Sequence, residues 1–294
     1  MNIQPSLLVP IPFVRHPVAQ YEAQYQNRIM ENTRAGNLWV GLAYLMTYPA
    51  MLLSIAIYLG ALASQIIPQS VVLSFDHSTL LLATGALIFM IAMNIALYTV
   101  VSLVTFGLAV NSISREKQGK TWDMLLLTGV DGRQLVWGKW WATVLTFWKD
   151  FALVWLMRLG MIAWLIAVTD GEFIYRPVIA GLSPEFVYLF LAAIMIAVLT
   201  LFDSMLTAAL GQITALSDRR TGAIAFIAFG LRLVAQFAPL VLPVMIYIHF
   251  EMHEASFYMG FWAIWLLIYA ALIGLLLMVG QWLAVRQHAL SPTA

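Results

Sequence analysis

Thr79–Val110 reads TLLLATGALIFMIAMNIALYTVVSLVTFGLAV, unbroken by Lys, Arg, Asp or Glu. A bilayer core of about 30 Å needs about 20 apolar residues of helix, and this run exceeds that. Only helices and closed barrels satisfy the backbone in lipid, and a barrel would show short alternating strands. A continuous run of this length is therefore a membrane helix.

Working outward, Leu38–Ile67 and Ser256–Val285 are equally free of charge. Glu185–Leu216 carries Asp203 inside its ends, and Thr221–Ile248 carries Arg232. Leu135–Val168 holds Lys139, Lys149, Asp150 and Arg158. Its first half reads as an interfacial segment and roughly Phe151–Val168 as the membrane part. The expectation is an all-α, polytopic membrane protein with six transmembrane helices, forming a single transmembrane domain over 38–294.

Composition agrees. Of 294 residues, 62% are hydrophobic and 10% charged, with mean hydropathy +0.88. A soluble domain is about 45–50% apolar and about 25% charged. This excludes a soluble enzyme, a disordered chain and a secreted disulfide scaffold. With no cysteine there is no disulfide and no thiolate ligand or nucleophile. A net charge of +1 gives no electrostatic case for nucleic acid.

Lys and Arg set the orientation. With both termini cytoplasmic, the inner segments hold Arg15, Arg28, Arg34, Arg115, Lys117, Lys120, Arg133, Lys139, Arg219, Arg220 and Arg286, and the outer ones only Arg176. That is the positive-inside pattern of a plasma (inner) membrane protein. Met1–Phe13 lacks a basic n-region and is interrupted by Pro5, Pro10 and Pro12, so it does not read as a secretory signal. Within the N-terminal arm, 1–37, Tyr21, Tyr25 and Ile29 recur at near-helical spacing among Glu22, Arg28, Glu31 and Arg34. This predicts an N-terminal amphipathic interfacial helix on the inner surface, against the plainer alternative of a solvated arm.

The segment 111–140 between spans 2 and 3 carries the most information. Ser114–Lys120 is charged, Trp122–Leu127 apolar, and Gly129 with Asp131-Gly132 signals a turn. The pattern is a helix leaving the bilayer, a short amphipathic helix, a turn and a re-entry. Such a helix, held at the surface, can dock in a groove on a soluble partner. Thr121 or Asp123 suits its N-cap. Ser114–Thr121, SREKQGKT, approaches the phosphate loop G-x-x-x-x-G-K-[ST]. Ser114 replaces the first glycine and a membrane helix, not a strand, precedes it, so no nucleotide site is expected.

Arg115-Glu116-Lys117-Gln118, then Thr121 through Thr128 (TWDMLLLT), then Val136-Trp137-Gly138-Lys139 resembles the signature of ABC-2-type transporter permeases. That signature is roughly R-E-x-x-x-G-T-x-E-x-L-L-L-T-P followed by G-K, just after the second of six spans. Phe13–Val18 resembles, more weakly, the family's N-P-V-x-R-E opening. Here Lys120 stands where the family has glycine, with Gly119 one place early; Asp123 replaces a glutamate and Gly129 a proline.

The resemblance implies a permease subunit of an ATP-driven ABC transporter, export favoured. Separate ATPase subunits would dock on a coupling helix at about 121–128. ATP and Mg would be bound by that partner, with no cofactor on this chain and no catalysis by it. A second permease copy or a related permease would complete the path. Carried over, the ATPase-coupling residues are Arg115, Glu116, Gly119, Thr121, Asp123, Leu125, Leu126 and Leu127. Two other readings fit the composition: an ATP-independent membrane channel or enzyme, and a membrane anchor recruiting a soluble partner.

Charges at membrane depth face the bundle interior. Asp203 can meet Arg158 or Arg232, either as an inter-helix pair or as the polar lining of a translocation path. Asn94, Gln212 and Gln236 read as inter-helix hydrogen bonders, and Gly85 and Gly211 as packing sites. Trp137, Trp140, Trp141 and Trp148 suit an inner aromatic belt. His249 and His253 share a spacing that can hold a metal, but a wet polar turn after Pro239 and Pro243 is the expectation, and no metal is assigned.

Overall fold

The computed structural model describes residues 17–35, 38–64, 77–119, 121, 132–169, 184–217, 227–230, 232 and 255–290. These residues form six long helices: α1 Pro17–Ala35, α2 Leu38–Ser64, α3 His77–Gln118, α4 Gly132–Thr169, α5 Pro184–Leu216 and α6 Ala255–Leu290. No strand occurs among them. The span expected over Thr221–Ile248 is represented by helical residues 227–230 and Arg232; the rest lies outside the described residues, as do Gln236, Pro239, Pro243, His249 and His253.

Four of these helices are long and apolar enough to cross a membrane, over Leu45–Ala63, Gly85–Gln118, Leu189–Leu216 and Ala263–Ala284. That makes the chain a multi-pass membrane protein. Their outer faces carry bare apolar side chains such as Leu45, Ile88, Phe190 and Met278, as lipid-facing surfaces do.

The first half of α4 is continuous with its second and is packed against its neighbours. One helix runs from Gly132 to Thr169, and Leu135, Val136, Trp140, Ala142, Thr143, Val144 and Phe147 are all buried. α4 is the hub of the bundle, in contact with α1, α2, α3, α5 and α6. Trp140 is buried, Trp137 and Trp141 are partly so, and all three pack with Leu206, Tyr269 and Ile273. The indole N–H of Trp140 donates to the Met205 carbonyl at 2.9 Å. Trp148 is exposed.

Close approach along α4 depends on small residues and on polar groups that reach into its backbone. The Ser54 hydroxyl of α2 lies 2.7 Å from the Leu156 carbonyl and accepts from the Gly160 N–H at 2.7 Å, so it spans both ends of one helical rung. A Cβ on Gly160 would fall 2.5 Å from the Ser54 backbone. At the other end, with its amide oriented to satisfy both groups, Gln212 of α5 donates to the Val136 carbonyl and accepts from the Trp140 backbone N–H. Asn94 of α3 donates to the Val154 carbonyl at 3.3 Å. Asn94 and Gln212 thus act as inter-helix hydrogen bonders, as expected. Gly211 packs as expected too: a Cβ there would meet Ala109 at 2.7 Å, whereas one on Gly85 would meet nothing.

Candidate functional site

Two polar clusters lie inside this apolar bundle. The first joins α1, α3 and α4 where the segment 111–140 leaves and re-enters. α1 is amphipathic, but the face it buries is Val18, Ala19, Glu22 and Gln26; Tyr21 is 72% exposed. Gly138 admits α1, since a Cβ there would meet Val18 at 3.2 Å. The next residue, Lys139, is 1% exposed. Its ammonium lies 2.7 Å from Glu116 and 3.1 Å from Glu22, and donates to the Ser112 carbonyl at 2.9 Å.

Arg115 completes the cluster, 3.3 Å from Glu22 and with its guanidinium 3.8 Å from the centre of the Tyr25 ring. Two cations thus face two carboxylates, and the cluster is neutral. A buried charge is tolerable only when paired and hydrogen-bonded, and Lys139 has both. Gln26 holds Glu22 in place, donating to its Oε1 at 3.1 Å and to Thr143 at 3.2 Å. Lys117 donates to the Ala215 and Leu216 carbonyls at the end of α5, where a cation also suits the helix dipole.

Of the expected coupling residues, Arg115 and Glu116 form the last turn of α3. Gly119 closes it, donating its N–H to the Arg115 carbonyl at 2.9 Å. Thr121 is exposed and donates to the Glu116 carbonyl at 3.3 Å. Asp123, Leu125, Leu126 and Leu127 lie outside the described residues.

The second cluster sits deep between α3, α4, α5 and Arg232. Here the fold decides what depth alone left open: Asp203 pairs with Arg232, at 2.9 Å. Arg158 instead donates to the Thr200 hydroxyl at 2.9 Å. The Tyr98 hydroxyl lies between the paired groups, donating to Asp203 and accepting from Arg232. Both guanidinium groups lie 5.0 Å from the centre of its ring.

Glu22 and Tyr98 are residues that sequence reasoning missed, and so is the buried pairing of Lys139. Glu22 read as the wet face of an amphipathic helix, and Tyr98 was one more letter of an apolar run. Among the described residues, no group of His, Asp or Glu could hold a metal ion. Comparison with protein-family models and with curated proteins returns no match.

Proposed function

We propose that the chain is the membrane subunit of an ATP-driven ABC transporter of the ABC-2 type. Separate ATPase subunits dock at about 121–128, and a second permease copy, or a related permease, forms the other half of the path. The protein sits in the plasma (inner) membrane with both termini cytoplasmic. It crosses six times and lays α1 along the inner surface with Tyr21 and Tyr25 toward the headgroups. Export is the favoured direction.

One observation carries this reading beside the signature itself. Glu116, second residue of the signature, and Lys139, its last, are joined by a 2.7 Å ion pair. Both ends of the segment are thereby pinned to α3 and α4, so a push on residues between them would be delivered to the bundle. An anchor that merely recruits a partner needs no such pinning.

Affinity purification of the full chain from its native membranes tests the reading. An ATP-binding subunit should co-purify in fixed ratio, and the complex should hydrolyse ATP. A chain isolated intact, with no ATP-binding partner and no ATP turnover, would sink it.

A further inference from the structure

The deep cluster holds two guanidinium groups and one carboxylate, all buried. Asp203 works through a single oxygen: Oδ2 faces Arg232 at 2.9 Å and accepts from the Tyr98 hydroxyl. Its Oδ1 has no hydrogen-bond partner among the described residues. Arg158 donates through Nη1 to the Thr200 hydroxyl, while its Nε and Nη2 are unpartnered, as are Nε and Nη1 of Arg232. Of these five unpartnered atoms, four are donors and one is an acceptor. Two arginines thus stand around one idle carboxylate oxygen.

Thr200 and Asp203 are three residues apart on α5, so their side chains are neighbours on one face, about 5–6 Å apart. The guanidinium of Arg158 therefore rests one helical turn from Asp203, a step that a rotamer change in its long side chain covers. Tyr98 supports either cation: both guanidinium groups lie 5.0 Å from the centre of its ring. With two cations and one anion, either pairing leaves one arginine unmatched beside the same ring. The two arrangements carry the same charge deficit, which is the condition for a two-state element rather than a lock.

We propose that Asp203 exchanges partners, from Arg232 in this structure to Arg158, and that the exchange switches the bundle between two conformations. In the exchanged state Arg158 leaves Thr200 for Asp203, and Arg232 loses its carboxylate. Helical residues 227–230 and Arg232 are held to the bundle by that ion pair and by Phe229 against the Phe106 ring. Once the pair opens, this stretch shifts against α4. Thr200 and Tyr98 are positioning residues: Thr200 holds Arg158 away from Asp203, and Tyr98 bears whichever cation is unmatched. The switch belongs to the bundle itself and does not rest on ATPase docking.

The native chain has no cysteine, so two introduced thiols give unambiguous label sites. The full chain carrying Ile227→Cys and Trp148→Cys, both exposed positions, is spin-labelled in lipid nanodiscs without nucleotide or partner. Electron–electron double resonance should show two distance populations, the minor one being the exchanged state. Thr200→Val should raise the minor-to-major ratio about tenfold, the scale of a lost charge-assisted hydrogen bond. Arg158→Gln should remove the minor population, and Arg232→Gln should make it the major one.

Thr200→Val and Arg158→Gln break the same contact yet move the ratio in opposite directions, which a static contact does not do. Should Arg232→Gln fail to fold, that pair of variants decides. One distance population shared by the parent, Thr200→Val and Arg158→Gln overturns the switch. So does a second population that persists unchanged in Arg158→Gln.

Discussion

The ammonium of Lys139 lies 2.7 Å from the carboxylate of Glu116, and both side chains are largely withdrawn from solvent. They sit 23 positions apart in sequence (139 − 116), on the helices that flank the surface segment. Removing one member of a buried pair strands the other, at a cost of about 3–5 kcal/mol. Lys139→Met should therefore destabilise the protein by that order, since it leaves Glu116 and Glu22 to share Arg115 alone. Adding Glu116→Gln and Glu22→Gln to Lys139→Met should recover much of the loss. Thermal melting of the purified variants in detergent measures both; a single variant that melts like the parent would remove the cluster's structural importance.

Helix spacing between α2 and α4 rests on Gly160. Gly160→Ala places a methyl 2.5 Å from the Ser54 backbone, and overpacking of this kind costs about 1–3 kcal/mol. Gly85→Ala, which meets nothing, should be neutral or mildly stabilising, because glycine within a helix is the poorer choice by about 1 kcal/mol. The contrast between two identical substitutions, read by melting temperature, isolates the packing contribution.

Asp203 and Arg232 should behave as one unit. Arg232→Gln and Asp203→Asn should each cost about 3–5 kcal/mol, and the double variant less than the sum. Tyr98→Phe should cost about 1–3 kcal/mol by leaving both partners without the bridging hydroxyl. Additive losses in a double-mutant cycle would show that the two charges act independently.

If an ATPase docks on the surface segment, Asp123→Ala or Thr121→Ala should lower transport-coupled ATP turnover without reducing membrane insertion. Replacing Leu125, Leu126 and Leu127 together with polar residues should abolish coupling. Insertion is read by protein level in purified membranes, and coupling by ATPase activity of the reconstituted complex. Full coupling in the triple variant would eliminate the docking surface.

The membrane class was legible because it is written in local runs: Thr79–Val110 needs no distant residue to be recognised. What failed were features that depend on distant partners. Lys139 looks like an interfacial residue until Glu22, 117 positions away, arrives to neutralise it, and this is why the first half of α4 lies inside the bundle. Depth calculated along a helix brings both Arg158 and Arg232 within reach of Asp203; only helix packing chooses Arg232. Tyr98 gave no signal at all, since a hydroxyl in an apolar run is visible only once its charged partners converge. Glu22 lay on a face whose burial follows from Gly138 on another helix.

The contact pattern also bears on how the chain assembles as it is made. α1, α2 and α3 emerge first; α2 and α3 touch each other only sparsely, and α1 leans on α4. These three helices have no shared partner until α4 enters the bilayer. The first half of the protein must therefore wait as loosely associated segments, with Glu22 and Glu116 sharing Arg115 until Lys139 reaches them. Consolidation begins with the fourth helix rather than the first, so a ribosome stalled before residue 132 would hold a chain with helices but no core.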